Sequence, residues 1–301
     1  MRPLVLAILI ITFTALAAPG CSPKKMGISR MADALSSTAS TFSRDTDPEF
    51  VRLAAPSTLK MVEMLLDQQP RHEGLLMTAC SGFTQYAYGF LQTDADLAAD
   101  ASGASARELR TRATAMYDRA RDYCLRGLEV RHPGIRQALP KDAAGALASM
   151  TKGDVPALYW SAAAWGGSLS LADNPLVRLG ELAIVRRMLT RALELDETWE
   201  LGALHEAMIP LDGLPMLLGG SSARARSHFD RAVALSNGES AFAYLAMASS
   251  VARPAKDRAA FEQFLRAALA IDVSKQPSLR LANVIAQKRA RVLLSRVNSL
   301  F

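Results

Sequence analysis

The chain has 301 residues, half of them hydrophobic, with 35 Lys and Arg against 29 Asp and Glu and only three Cys. This composition supports a sizeable core and excludes disordered, collagenous and disulfide-scaffold classes. The net charge of +6 in an exported chain reads as a solvated or headgroup-facing surface, not as a nucleic-acid footprint.

The first segment, 1–20, is a secretory signal: Met1-Arg2 is a short basic start, Leu4 to Ala18 is almost wholly apolar, and Ala18-Pro19-Gly20 precedes Cys21. About fifteen apolar residues fall short of the roughly twenty that a spanning helix needs. The pattern resembles a bacterial lipoprotein signal, in which the Cys21 thiol takes a diacylglycerol and becomes the first residue. Gly20 fits that cleavage site, while Ala18 and Pro19 depart from its usual residues. Ser22, not Asp, follows, which in a Gram-negative cell directs the anchor to the outer membrane, facing the periplasm. An ordinary secretory signal with an incidental cysteine is the plainer alternative. Residues 21–27 read as a polar tether and 28–301 as a single all-helical domain.

From residue 26 onward the apolar spacing is helical, and no stretch alternates with the period of a strand. A weak amphipathic pattern covers 26–42. Asp45-Thr46-Asp47-Pro48-Glu49 is a helix start: an acidic cap, Pro in the first turn and Glu at the positive end of the dipole. That helix runs to about Asp67, and Pro70 ends it. Helices follow over about 71–95 and 105–130, separated by a Gly/Ser/Ala loop. Pro133-Gly134 and Pro140 break the chain. Asp154-Val155-Pro156 starts another helix, and more are predicted near 175–195, 198–210, 221–236, 239–252, 255–271 and 276–299.

Arg191-Ala192-Leu193-Glu194-Leu195-Asp196 recurs as Arg231-Ala232-Val233-Ala234-Leu235-Ser236 and as Arg266-Ala267-Ala268-Leu269-Ala270-Ile271. Arg126-Gly127-Leu128 is a weaker copy. Spacings of this size mark tetratricopeptide-like stacked helical hairpins, irregular in length. The small alanine lets the two helices of a hairpin approach, and the large neighbours fill the groove to the next hairpin.

Cys80 and Cys124 lie about twenty residues before and after the 97–104 loop, so an antiparallel helix pair brings them level. They read either as a disulfide, worth roughly 3–4 kcal/mol on the chain-entropy model, or as two buried thiols behaving as small hydrophobes.

Catalytic chemistry has no visible residues. Leu204-His205-Glu206-Ala207-Met208-Ile209 begins like a zinc-protease helix, but Ile209 stands where the second His ligand is required. No metal site and no cofactor motif is indicated, and the chain reads as a non-enzyme. In residues 157–167, Trp160, Ala164 and Gly167 share one helical face with Tyr159 and Trp165 around it. These aromatics either pack the core or line a groove or cavity for a partner or ligand. His205 and Glu206 add polar contacts to such a surface or simply face solvent. Arg280, Lys288, Arg289, Arg291 and Arg296 read as a solvated face of the last helix.

Several segments then carry a resemblance that spans nearly the whole mature chain. They include Asp45-Thr46-Asp47-Pro48-Glu49, Cys80-Ser81-Gly82-Phe83-Thr84-Gln85-Tyr86-Ala87-Tyr88, Leu158-Tyr159-Trp160 with Trp165, and Gly202-Ala203-Leu204-His205-Glu206. Leu218-Gly219-Gly220-Ser221, His228-Phe229 with Arg231-Ala232, and Arg280-Leu281-Ala282-Asn283 with Gln287-Lys288-Arg289-Ala290 continue it. Together they resemble the TatT component family of TRAP transporters. The resemblance implies a lipid-anchored, periplasm-facing accessory of a tripartite ATP-independent periplasmic transporter. It implies a homo-oligomer, a trimer, that docks the periplasmic substrate-binding protein and passes an apolar ligand through a cavity or pore. The alternative function is a tetratricopeptide-type scaffold lipoprotein of outer-membrane or envelope assembly.

Overall fold

The structure, a computed structural model, describes residues 30–35, 39–100, 102–172 and 178–301. The signal 1–20, Cys21 and the tether to residue 27 lie outside the described residues. All regular structure among the described residues is helical, so the protein is all-α.

Ten principal helices run in order: α1 (Pro48–Gln68), α2 (Glu73–Tyr86), α3 (Ala104–Arg131), α4 (Val155–Ser170), α5 (Leu179–Asp196), α6 (Ala203–Asp212), α7 (Ser222–Leu235), α8 (Ala241–Met247), α9 (Arg258–Ala270) and α10 (Arg280–Ser295). Asp47 starts α1 by accepting from the Glu49 and Phe50 amides at 2.9 and 3.1 Å, with Pro48 in the first turn. His72 caps α2 through Nδ1 and the Leu75 amide at 3.2 Å. Cys80 of α2 and Cys124 of α3 are joined as a disulfide, with Cα atoms 4.8 Å apart.

Four element boundaries differ from the sequence reading. The expected helix 26–42 is helical over 30–35 and Ala39–Ser43. The helix of 71–95 is α2 extended through a π-helical turn, Ala87–Gln92, into Thr93–Leu97. The breaks at Pro133 and Pro140 hold two short helices, Ile135–Ala138 and Ala143–Leu147. The helix expected from 198 starts only at Ala203, because Glu200, Leu201 and Gly202 adopt left-handed backbone at φ 46, 56 and 93°.

The repeats pack as their composition dictates, with one shift of register. Ala192 and Ala232 are fully buried, where a methyl side chain permits the close approach of paired helices. In the third copy Ala268, not Ala267, takes that place. The buried stripe of α9 runs Phe261, Leu265, Ala268, and the i, i+4, i+7 geometry sets which alanine faces inward.

The array closes on itself. Lys288 of α10 pairs with Glu49 at 3.3 Å, Arg289 reaches Thr93 at 2.9 Å and Asp96 at 3.0 Å, and Ile285 packs with Val51 and Phe90. Arg296 donates to the Leu97 and Ala98 carbonyls at 2.7 and 2.9 Å, which are orphaned acceptors at a helix end. Of the basic residues read from sequence as a solvated face, Lys288 and Arg291 are exposed, whereas Arg289 and Arg296 form a seam with residues 93–98 at the end of the extended α2 and Arg280 donates to the Arg44 carbonyl at 3.2 Å. Charge alone could not separate the two roles. What does is the placement of Asp96 and two open carbonyls 193 to 199 residues earlier in the chain, and of Glu49 239 residues earlier.

Candidate ligand passage

Helix α4 is held at its start by Asp154. Its Oδ1 lies 3.0 Å from His132 Nε2 and accepts from Arg131 Nη1 at 3.2 Å. Its Oδ2 accepts from the Thr151 amide and hydroxyl at 2.8 and 2.9 Å. Desolvation works against the Asp154 charge, but the bonds from His132 and Thr151 outweigh it and hold the carboxyl at about 2. This fixes where the following helix places its aromatic side chains.

Tyr159 and Trp160 are both half-buried, with rings edge to face, centroids 4.9 Å apart. Tyr159 also packs against Trp199 at 4.7 Å. Trp199 stands on the 3-10 turn Trp199–Gly202, whose two left-handed non-glycine residues, Glu200 and Leu201, cost about 1–2 kcal/mol each. The turn is pressed onto α7: a Cβ at Gly202 would lie 3.1 Å from Leu235 Cβ and 3.3 Å from Ala232 Cα. Backbone strain at this turn thus accompanies the stacking of Trp199 on Tyr159.

Trp165 is not brought to that wall. It is buried, its indole N–H donates to Glu181 at 2.5 Å, and the Arg121 guanidinium lies over its ring at 5.2 Å. It belongs to the packing of α4 against α3 and α5. Gly167, one turn on from Ala164, meets the Tyr117 ring so closely that a Cβ would lie 2.4 Å from Cε1. Small residues on this face do serve close helix contact.

A second wall comes from helices at the seam. Arg289 lies over the Tyr88 ring at 5.1 Å, and Tyr88 meets Phe242 edge-on at 5.6 Å. Burial opposes the Arg289 charge, yet Tyr88 and Asp96 raise its pKa overall. Between the walls stands Glu206, in the first turn of α6. Desolvation pushes its carboxyl up to about 7, and the Ser240 hydroxyl offsets little of this. Desolvation raises Tyr159 and Tyr88 as well, and the Glu206 charge raises both further. Tyr88, Tyr159, Trp160 and Glu206 nevertheless keep part of their surface accessible.

His205, next to Glu206, is packed against α7. It is buried, with Nδ1 2.8 Å from His228 Nδ1 and Nε2 3.4 Å from Glu197 Oε2. Burial lowers the pKa of both histidines. A single proton satisfies the Nδ1···Nδ1 contact, one ring donating and the other accepting. The solvent-facing reading of His205 is thereby corrected: its position on α6 packs it against α7.

Of the five aromatic and polar residues expected from sequence, the structure packs Tyr159 and Trp160 edge to face and leaves both, like Glu206, half-buried. It places His205 and Trp165 elsewhere. Tyr88, Trp199, Phe242 and Arg289 join the walls, although none of them had a site role in the sequence reading. Their common signal is one large aromatic or basic residue per helix, which ring closure alone turns inward. Among the described residues, no group of three or more His, Cys, Asp or Glu is placed to hold a metal ion. No helix among them is long and apolar enough to cross a membrane.

Comparison with known proteins gives two matches. The family model described as TRAP transporter T-component matches residues 44–301. A protein of Treponema pallidum (strain Nichols) described as uncharacterized is 27% identical over 301 residues, covering 94% of this chain and 93% of that protein.

Proposed function

Because the chain belongs to the TRAP transporter T-component family, we propose that it docks the transporter's periplasmic substrate-binding protein. In this reading it passes an apolar ligand through the space lined by Tyr88, Tyr159, Trp160 and Trp199. An accessory role in a TRAP transporter of the cell envelope is what the family supports.

What supports the finer reading is the closed array together with the half-buried rings of Tyr88, Tyr159 and Trp160 and the desolvated carboxyl of Glu206. Aromatic rings supply apolar contact to a ligand chain. Glu206, protonated part of the time near neutrality, presents a hydrogen-bonding group that is inexpensive to desolvate in its neutral form. Such an interior admits a ligand that is mostly apolar with one polar end.

The rest of the reading follows from the chain's other features. Lipidation of Cys21 would hold the protein on the periplasmic face of the outer membrane, since two or three acyl chains anchor far better than one. A single helical domain of stacked hairpins presents extended surfaces suited to a protein partner and to a trimer of this chain. No step of this function calls on a catalytic group, a metal or a cofactor, so the protein works as a binding component and not as an enzyme.

The test is affinity capture of the lipidated protein from gently solubilised membranes, with the captured proteins identified by mass spectrometry. A periplasmic substrate-binding protein in the eluate is expected. Barrel-assembly or secretion components without a binding protein would overturn the docking role in favour of an envelope scaffold. For the passage, Trp160→Ala should weaken binding of a fluorescent fatty acid at least tenfold while the far-UV helical signal stays intact. Loss of the fold would instead mark Trp160 as core.

A further inference from the structure

Between α6 and α7 the chain makes a finger that holds two large apolar side chains in water. Met216 and Leu217 are 86% and 95% exposed, the most open of the large hydrophobic residues described. The segment is built to keep them there. Leu218 and Gly220 amides both donate to the Pro215 carbonyl, at 2.8 and 3.2 Å, and the Ser221 amide donates to the Asp212 carbonyl at 2.7 Å. Gly219 takes φ +80°, and a Cβ at Gly220 would lie 1.6 Å from the Leu214 oxygen. Arg224 Nη2 closes the base on the Gly219 carbonyl at 2.6 Å. A loop pinned at so many points pays little ordering entropy when something covers its tip.

The base of the finger is cationic. Arg186 and Arg224 share the single carboxylate of Asp212, at 2.5 and 3.0 Å. Asp212 is fully buried, whereas the Arg224 side chain is 54% exposed. One unneutralised positive charge therefore sits beneath two apolar side chains. That combination suits an apolar socket with an acidic rim.

Where the finger lies selects among possible occupants. Residues 30–35 pack beside the end of α1 and the start of α2: Ala32 joins Leu59, Val62 and Leu66, and Asp33 lies 3.3 Å from His72. The contacts Glu73–Arg131, Lys152–Asp196 and Glu197–Arg231 mark the turns at that same end. Helices α2 to α6 alternate in direction, so the finger projects from the opposite end. The chain that leads back to Cys21 thus leaves from one end, and the apolar tip stands at the other, away from a membrane-tethered base.

We propose that the Met216–Leu217 finger is the element that docks the transporter's periplasmic substrate-binding protein, seated in an apolar socket with an acidic rim. This rests on the docking role proposed above and assigns it to one surface.

The experiment compares full-length lipidated protein with a Met216→Ser/Leu217→Ser double variant in the same capture from solubilised membranes, with Met64→Ser, at another exposed large hydrophobic residue, as the control. The double variant should retain less than a tenth of the captured substrate-binding protein at unchanged far-UV signal and melting temperature. Met64→Ser should capture as much as wild type, and 0.5 M NaCl should weaken wild-type capture. Equal capture by the double variant would overturn the assignment while leaving the docking role standing. Failure of the wild type itself to capture a binding protein would remove the docking role and the assignment with it. Two further readouts also overturn the assignment. One is flotation of wild type but not of the double variant with phosphatidylglycerol vesicles when Cys21 is replaced by Ser, which would make the finger a lipid contact. The other is a fall in molar mass of the double variant by light scattering, which would make it a contact between copies of this chain.

Discussion

Two Asp-centred polar clusters, one at each end of the helical array, are made from nearly the same residues and finished differently. At the end where α3 gives way to α4, Asp154 places all its bonds: Arg131 and His132 on Oδ1, and the amide and hydroxyl of Thr151 on Oδ2. Where α6 gives way to α7, Asp212 takes Arg186 and Arg224 on Oδ1. Its Oδ2 has no hydrogen-bond donor among the described residues, and His228 Nε2 stands 3.6 Å away. The first cluster joins the start of α4 to the end of α3, the helix that carries Cys124 of the disulfide. The second sits under the exposed finger, beside a histidine pair. Fully bonded buried charges act as clamps, whereas partly bonded ones leave a region able to respond to protons or to a partner.

Reduction offers the largest test of that contrast. Cys80→Ala/Cys124→Ala should lower stability by about 3–4 kcal/mol, the loop-closure term for a link across 44 residues, read from denaturant midpoints. If the stapled region is the stronger clamp, hydrogen exchange in α2 and α3 should rise more than in α6 and α7. Uniform loosening would show that the array unfolds as one unit and would dissolve the distinction.

A smaller effect compares the carboxylates directly. Asp154→Ala removes a carboxylate that four donors surround and should cost about 3 kcal/mol. Asp212→Ala frees two arginines, one of them half-exposed, and should cost about 1–2 kcal/mol. Equal losses in urea denaturation would mean that the unbonded Oδ2 makes no difference. The Asp154 variant should also flatten the acid limb. That carboxyl has a folded pKa of about 2 against an ordinary value of 3.8, so its contribution is complete above 3.8 and is lost as pH falls toward 2.

What could be read in advance followed the range of the interactions concerned. Helix starts such as Asp47-Pro48 were legible because a cap acts over three residues, and the Ala192 and Ala232 contacts because they repeat. The level placement of Cys80 and Cys124 followed from an antiparallel helix pair around one short loop. Ring closure was not legible. Arg289 with Asp96, and Lys288 with Glu49, pair across most of the chain, and nothing near either residue announces its partner. The candidate site was half legible for the same reason. Tyr159 and Trp160 advertise themselves within one helix, but Tyr88, Phe242 and Arg289 become neighbours only when α10 returns to α1. The left-handed turn at Glu200 and Leu201 ran against local propensity, and its cause is tertiary: the fit of Gly202 against α7.

The finest test lies in the pH profile, because the enclosed groups of the α6–α7 region titrate with opposite signs. The Glu206 carboxyl is raised from 4.5 to about 7. Between those values the folded protein binds the extra proton, so stability falls as pH rises from 4.5 to 7 and stays low above. His205 and His228 are lowered from 6.5. Below 6.5 the unfolded chain takes up protons that the native pair refuses, so their contribution climbs with pH toward 6.5. Wild type should therefore show a shallow profile between pH 5 and 7, the two slopes opposing one another. Glu206→Gln removes the falling limb. It should leave a profile that rises with pH and gain about 2 kcal/mol at pH 8, less than the full shift because water still reaches the carboxyl. A Glu206→Gln protein whose midpoint at pH 8 matches wild type would show Glu206 solvated like a surface carboxylate. The passage proposed between the two walls would then be open to bulk water, and the reading of it as an apolar route would fall.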